Sequence, residues 1–311
     1  MSPEEAARLL GEKDQILLVT HRNPDGDTMG SAAALCSALR RLAKEAWLFP
    51  NRQVTEKLLP FVADYYAPMD FAPACIVSVD VATEKMFAEG FSGCVDLALD
   101  HHPSNTHYAA EECICADRAA CGEIVLRILE ALCGGLTVEE ANLLYIALST
   151  DCGCFQYANT DSTAFQDAAA LVRYGAENAR LNQIFFRKVS MARMKLEGLI
   201  YSNMSFHRDG KVVVALVTDD MLLEAGAAED DCDDLAGLAG RAECSEVSIT
   251  IRDYPGGHSK VSVRSGESFD SCALCARFGG GGHKMAAGCN LPVPPDQARE
   301  LLLAAINEML A

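Results

Sequence analysis

A chain of 311 residues, half of them hydrophobic and only 11 of them proline, is long enough to bury a sizeable core and to divide into two domains, which excludes a peptide module or a disordered tail. Its 44 Asp and Glu outnumber 26 Lys and Arg, for a formal net charge of -18, so it lacks the surface for a broad grip on long nucleic acid or an anionic membrane; a short anionic substrate drawn to bound cations stays allowed. No apolar run approaches the roughly 20 residues that span a bilayer.

MSPEEAARLL reads as an acidic amphipathic helix and not as a signal peptide, so the 14 cysteines are expected to be reduced, mostly small core residues of a cytoplasmic protein. Ile16 to Thr20, Ala46 to Phe49, Cys75 to Val79 and Val95 to Leu99 are short β-rich runs, and an Ala/Leu-rich helical run covers Ser31 to Leu42. Near-continuous apolar strands separated by helical stretches predict an α/β fold with a parallel sheet covered on both faces. Helices follow at Ala119 to Leu132, at Thr137 to Ser149 with Thr137 and Glu140 as a capping box, at Asp161 to Tyr174 and at Asn178 to Val189. The expected domains are 1–190, a helical linker 191–205, and a smaller α/β domain 206–311. In the latter, Lys211 to Thr218, Glu246 to Arg252 and Lys260 to Arg264 read as strands, and Phe269 to Phe278 and Asp296 to Met309 as helices. The acidic run Ala228 to Asp234 reads as a solvated loop or first helical turn.

In an open parallel sheet, ligands collect beyond the carboxyl ends of the strands. Three predicted strands here run into candidate metal ligands: ILLVT into His21-Arg22-Asn23-Pro24-Asp25-Gly26-Asp27, CIVSV into Asp80, and VDLAL into Asp100-His101-His102; Asp151 follows the apolar YIALST run. Pro24 restricts the first of these loops, and Gly26 permits a positive φ. So many carboxylates in one crevice repel each other unless cations are bound. The expected ligands of two divalent ions are His21, Asp25, Asp27, Asp80, His101 and Asp151, with Asp80 shared, while His102 is left to touch substrate. Taken singly, Asp25 or Asp27 reads equally well as a helix cap, and His101-His102 as an ordinary polar turn.

Near the C-terminus, Phe278-Gly279-Gly280-Gly281-Gly282-His283-Lys284 offers successive backbone N–H groups for an anion-binding nest; a flexible hinge is the plain alternative. It is no Walker-type loop, since Lys284 lacks the following Ser or Thr. Lys260, Arg264, Arg277 and Lys284 face only Glu267 and Asp270 between 255 and 290, a local reversal of the overall charge, and Arg264 suits bidentate phosphate recognition.

His21-x-Asn23-Pro24-Asp25-x-Asp27, the lone Asp80, Asp100-His101-His102 and Asp151, in that order, resemble the four motifs of the DHH phosphoesterase superfamily; Arg264-Ser265 and the GGGH…AAG segment from Gly280 to Gly288 resemble its C-terminal DHHA1 domain. The resemblance spans nearly the whole chain and is similar in detail to the oligoribonuclease and phosphoadenosine phosphatase subgroup, often labelled exopolyphosphatase-related. It implies a cytoplasmic hydrolase with two divalent ions, usually manganese and alternatively magnesium. Such an enzyme cuts short single-stranded RNA to nucleoside 5′-monophosphates and in some members removes the 3′-phosphate of 3′-phosphoadenosine 5′-phosphate. It implies His102 and Asp100 in catalysis, His102 with Asn23, Arg264, Ser265, Gly280, Gly281, Gly282 and His283 at the substrate, and the six metal ligands named above. Long duplex nucleic acid and membrane are not expected partners, and a homodimer is compatible with the pattern. The alternative within the same chemistry is a phosphodiesterase or phosphatase for cyclic or linear dinucleotides, pyrophosphate or polyphosphate. One departure stands out: the family's Asp-Thr-Gly is here Asp151-Cys152-Gly153-Cys154. Both thiols are expected outside the metal centre, although cysteine ligation would favour zinc. Cys272-x-x-Cys275 has no second pair at metal-site spacing.

Overall fold

In the computed structural model, which describes residues 1–232, 235–254 and 256–310, the apolar run Ile16–Val19 forms β1, buried at every position. It belongs to the first of two units into which the chain divides, Met1–Lys188 and Val189–Ala311. Before it, α1 (Pro3–Glu12) starts at a Ser2–Glu5 capping box and buries Ala6, Ala7 and Leu10. After it come α2 (Gly26–Arg41), β2 (Ala46–Leu48), the single turn α3 (Leu59–Val62), β3 (Cys75–Val79), β4 (Leu97–Asp100), β5 (Glu111–Ile114), α4 (Cys121–Cys133), α5 (Val138–Asp151), α6 (Ser162–Arg173) and α7 (Asn178–Asn182). A π-helical turn, Gln183–Arg187, follows α7.

The five strands pair in parallel in the order β2-β1-β3-β4-β5. This is the two-faced α/β layering that the near-continuous apolar strands predict, and β5 is the member whose polar sequence EECI hid it. The chain leaves β1 for β2 on one side and β3 for β4 on the other, so the order reverses between β1 and β3, and at such a switch point the loops leaving the two neighbouring strands diverge and open a crevice. The loops after β1 and β3 carry His21, Asp25, Asp27 and Asp80.

Small residues let α5 close on α2. A Cβ at Gly30 would stand 2.4 Å from the Leu143 carbonyl oxygen, and one at Gly26 would stand 2.3 Å from Thr150 Oγ1. Gly26 is therefore required by the approach of α5 to α2; its φ is not left-handed. Of the cysteines, Cys36, Cys75, Cys113, Cys121 and Cys152 are buried in this unit's core, and no disulfide forms among the described residues.

The second unit comprises α8 (Met191–Ser202), β6 (Ser205–His207), β7 (Val212–Val217), α9 (Asp219–Ala225), β8 (Val247–Tyr254), β9 (His258–Ser265), α10 (Ser271–Ala276), β10 (Gly281–His283), β11 (Ala286–Leu291) and α11 (Pro295–Met309). Its six strands run in the order β10-β11-β9-β8-β7-β6, with only β7 and β8 parallel. Strand alternation divides two small cores: Val212 and Val214 face α10 and α11 with Leu274 and Leu302, and Val213, Ala215 and Val217 face Leu196 and Ile200 of α8. The helix expected as a linker thus packs its apolar face inside this unit. Within the acidic run from 228, Glu229–Cys232 is a short 3-10 turn, and Glu229 is held by the Arg252 guanidinium; Asp233 and Asp234 lie outside the described residues. No helix of the described residues is long and apolar enough to cross a membrane.

Candidate metal centre and substrate-binding face

Asp25 caps α2: its Oδ1 accepts the backbone N–H groups of Asp27 and Thr28, at 3.0 and 3.1 Å. Capping occupies one oxygen and leaves Oδ2 facing His21 Nε2 at 3.6 Å, so the cap does not exclude the ligand reading. Asp27, one step into the helix, turns the other way. Its oxygens accept the N–H groups of Cys121 and Gly122 at the start of α4, at 2.7 and 2.9 Å, and the Ser31 hydroxyl. Glu123 fixes that helix start by accepting Ala119 and Ala120 N–H.

Asp80 follows β3 with φ +60°, a left-handed backbone that a non-glycine residue adopts at a cost of about 1–2 kcal/mol. Its N–H donates to the Leu99 carbonyl at 2.8 Å, which holds it to β4. From there its carboxylate spans two groups: Oδ2 lies 3.6 Å from His21 Nε2, and Oδ1 lies 3.4 Å from His101 Nε2. His101 Nε2 in turn faces Asp27 and Asp151 at 3.8 and 3.7 Å. Two donor sets result, His21–Asp25–Asp80 and Asp27–His101–Asp151, and Asp80 also stands with His101 and His102. All six residues expected as ligands are brought together.

Donors held at about 2.0–2.2 Å from one ion stand roughly 3–4 Å apart, as these do. Two further observations fit cations here. Asp80 Oδ1 is buried without a hydrogen-bond partner, which strongly disfavours a carboxylate unless a charge meets it. Both imidazoles place Nδ1 against a backbone carbonyl, His21 on Arg22 at 2.9 Å and His101 on Arg118 at 3.1 Å, the arrangement that leaves Nε2 free as a donor to metal. Oxygen and imidazole donors suit hard or borderline divalent ions. Cys152 lies in the hydrophobic core with its thiol pushed up to about 11 by burial, and neither it nor Cys154 is in any donor cluster of the described residues.

The electrostatics of the bare protein show the same crowding. Burial, then repulsion from Asp80, Asp151 and Asp25, holds the Asp27 carboxyl well above the usual range. Burial raises Asp151 to about 7, with Asp80 and Asp25 adding to it against the pull of His101 and His102. Burial alone would lower the pKa of His21; Asp25 and Asp80 outweigh it and lift it to about 11.

Asp100, at the end of β4, is fully buried and organises the adjacent pair. Its Oδ1 accepts from His101 N–H, His102 N–H and His102 Nδ1, the last at 2.7 Å. That bond, with burial opposing and Asp80 assisting, raises His102 to about 9. Sequence reasoning missed what steadies Asp100: Asn105 Nδ2 donates to its Oδ2 at 2.6 Å and to the Val81 carbonyl, tying the loop after β4 to the loop after β3. It missed Asn51 too, which donates to the His21 carbonyl at 2.9 Å. Asn105, three residues beyond His102 in a strand-end loop, carried a signal; the Cys121 and Gly122 N–H groups carried none, because any residue supplies them.

In the second unit the glycine-rich segment is a β-hairpin. Gly279 and Gly280 N–H are spent on the Ala276 and Cys275 carbonyls, so these two donors are not part of an anion nest. Gly280 is needed for space, since a Cβ there would stand 2.2 Å from the Gly288 carbonyl oxygen. The register pairs Arg264 with Ala286, and Ala286 with His283. Directly paired residues share a face, so Arg264 and His283 lie on one face two strands apart, roughly 10 Å, across a small alanine. Both are exposed. Ser265 points to the other face, where its hydroxyl meets Ser271 Oγ and the Phe269 carbonyl. Gly281 and Gly282 line the hairpin beside His283, and Asn23 is exposed in the first unit with its N–H on Gln53.

Residues 15–148 match the DHH family N-terminal domain and residues 209–311 the DHHA1 domain. The bifunctional oligoribonuclease and PAP phosphatase NrnA of Thermus thermophilus is 33% identical over 319 residues, covering 98% of this chain and 95% of the relative. The chain belongs to the NrnA-like DHH–DHHA1 family. The Bacillus subtilis protein of the same name is 25% identical, with 92% of each chain covered. An exopolyphosphatase-related protein from Bacteroides fragilis shares the fold with a TM-score of 0.88 at 20% identity, covering 98% of this chain and 95% of that one.

Proposed function

We propose that the chain is a two-cation phosphoesterase that hydrolyses short single-stranded RNA to nucleoside 5′-monophosphates, and that it also removes the 3′-phosphate of 3′-phosphoadenosine 5′-phosphate. The observation that carries the reading is the Asp80 carboxylate, one oxygen turned to each of two His/Asp donor sets at the sheet's switch point and one of them otherwise unpartnered. Family membership supports the chemistry, and the Thermus thermophilus relative's name supplies the substrates.

His21, Asp25 and Asp80 would hold one cation and Asp27, His101, Asp151 and Asp80 the other. When bound, a pair of divalent ions, manganese by this reading, acidifies the attacking water and neutralises charge on the phosphoryl oxygens. The chain's own groups do the rest. His102, with Nδ1 held by Asp100, whose carboxylate favours the protonated ring in the bare chain, would turn Nε2 to an anionic phosphoryl oxygen. Asp100 keeps that imidazole oriented, and Asn105 keeps Asp100 oriented. Arg264 and His283 offer a cationic fork and an imidazole on one sheet face for a phosphate remote from the cut. The acidic surface elsewhere disfavours long strands.

A manganese-supplemented panel tests this: initial rates on dinucleotides, five-nucleotide RNA, 3′-phosphoadenosine 5′-phosphate, cyclic dinucleotides and pyrophosphate. The proposal requires the short linear RNAs to be turned over fastest, with nucleoside 5′-monophosphate as product. Preference for pyrophosphate or for cyclic dinucleotides would replace it with the alternative reading.

A further inference from the structure

Beyond Asp151 the backbone enters an unusual turn: Gly153, Cys154 and Phe155 have φ of 53°, 55° and 64°. Three successive left-handed residues, two of them not glycine, persist only where the surroundings over-determine them, and such strain collects at ligand-binding sites. The determinants here are visible. Cys154 N–H donates to the Ser149 carbonyl, and Gln156 and Tyr157 N–H both donate to the Cys152 carbonyl. Asn159 Nδ2 ties the returning chain to the carbonyls of Asp151 and Ala119, at 3.2 and 3.1 Å. Phe155 anchors the turn against Tyr145 and Phe165, with ring centroids 6.1 and 5.6 Å away.

This turn folds Tyr157 back over Gly153. A Cβ at Gly153 would lie 2.4, 2.4 and 2.6 Å from Cε1, Cζ and Cε2 of the tyrosine. Near-equal approach to three ring carbons puts the glycine on the ring's face, not at its edge. The side chain is nonetheless 53% exposed. Gly153 lies two residues from Asp151, a span of at most roughly 7 Å, so the glycine that backs the ring is a near chain neighbour of the Asp27–His101–Asp151 cluster. A ring backed by glycine and fixed by a tethered loop is a rigid flat surface, and stacking on such a surface is indifferent to sequence because every base has a π-face.

We infer that Tyr157, held flat by the left-handed Gly153–Phe155 turn, is a stacking platform for a nucleobase of the substrate, an inference that rests on the reading of the substrate as a short oligonucleotide. The experiment compares kcat/KM on a dinucleotide with that on its fully abasic counterpart, for the wild type and for Tyr157→Phe, Tyr157→Leu and Tyr157→Ala, each with manganese stoichiometry measured to establish an intact centre. Ala and Leu are expected to lower the preference for the base-bearing substrate by roughly 5- to 150-fold, and Phe, which keeps the ring, to lower it less. Equal losses on both substrates would overturn the platform while leaving the phosphoesterase reading in place. A wild type that hydrolyses pyrophosphate but neither nucleotide substrate would sink both.

Discussion

Replacing Asp151 by Asn should stabilise the cation-free protein and weaken the loaded one. The carboxyl is raised from the ordinary 3.8 to about 7, chiefly by burial and then by Asp80 and Asp25. Linkage makes its ionisation in the folded chain unfavourable by about 4 kcal/mol. With 29% of the side chain still reaching solvent, a relief of about 2–4 kcal/mol is expected. For a unit of this size that is a rise in Tm of roughly 5–15 °C. A group whose folded pKa is raised contributes stability that is present below the unfolded value and lost as pH climbs to the folded one. The wild type should therefore lose this increment between about pH 4 and pH 7, and the advantage of Asn should grow over that window and level off above it. Thermal unfolding in chelator across this range, repeated with saturating manganese, reads both halves: with metal the order reverses, because the amide is a poorer ligand. An Asn variant less stable than wild type in chelator at about pH 8, or a pH-independent difference, would refute the electrostatic account of the centre.

Asp80→Ala should nearly abolish turnover under metal-saturated conditions with far-UV circular dichroism unchanged; near-normal turnover would remove Asp80 from the shared position. Arg264→Ala should lower kcat/KM by about 30-fold, the equivalent of about 2 kcal/mol for a charge-assisted contact, on RNA bearing the remote phosphate and much less on RNA lacking it. Equal losses on both would move the contact to His283. Manganese binding at neutral pH should release protons, since His21 sits near 11 and Asp151 near 7 in the bare chain. Titration calorimetry in buffers of different ionisation enthalpy measures that release, and affinity should fall as pH is lowered.

The parallel sheet and the positions of its acids were legible because burial on both faces leaves a near-continuous apolar signature, as in ILLV and CIVSV, and charged residues follow where the strand stops. β5 was not legible: an edge strand with one solvated side reads EECI and lacks that signature. The glycine-rich segment reads in sequence as an anion-binding turn open to substrate, whereas Gly280 and Gly282 stand where a Cβ would collide with the backbone of β11. The grouping of His21, Asp25, Asp27, Asp80, His101 and Asp151 was readable from side-chain type and order. What holds the ligands was not, since Asp27 rests on backbone N–H groups of α4 about 95 residues away, and long-range backbone contacts leave no local mark. Asp25 shows a milder version of the problem: cap and candidate ligand are written with the same residue, and only the geometry shows one oxygen on the cap and the other turned to His21.

The central claim is that two cations meet at Asp80 to cleave a phosphoester. It is tested most directly by titrating metal-free protein, at concentrations well above the dissociation constant, with manganese while the initial rate of dinucleotide hydrolysis is followed. The account predicts little turnover in chelator and a rate that levels off at two equivalents per chain. Saturation at one equivalent, or full activity in chelator, would contradict it.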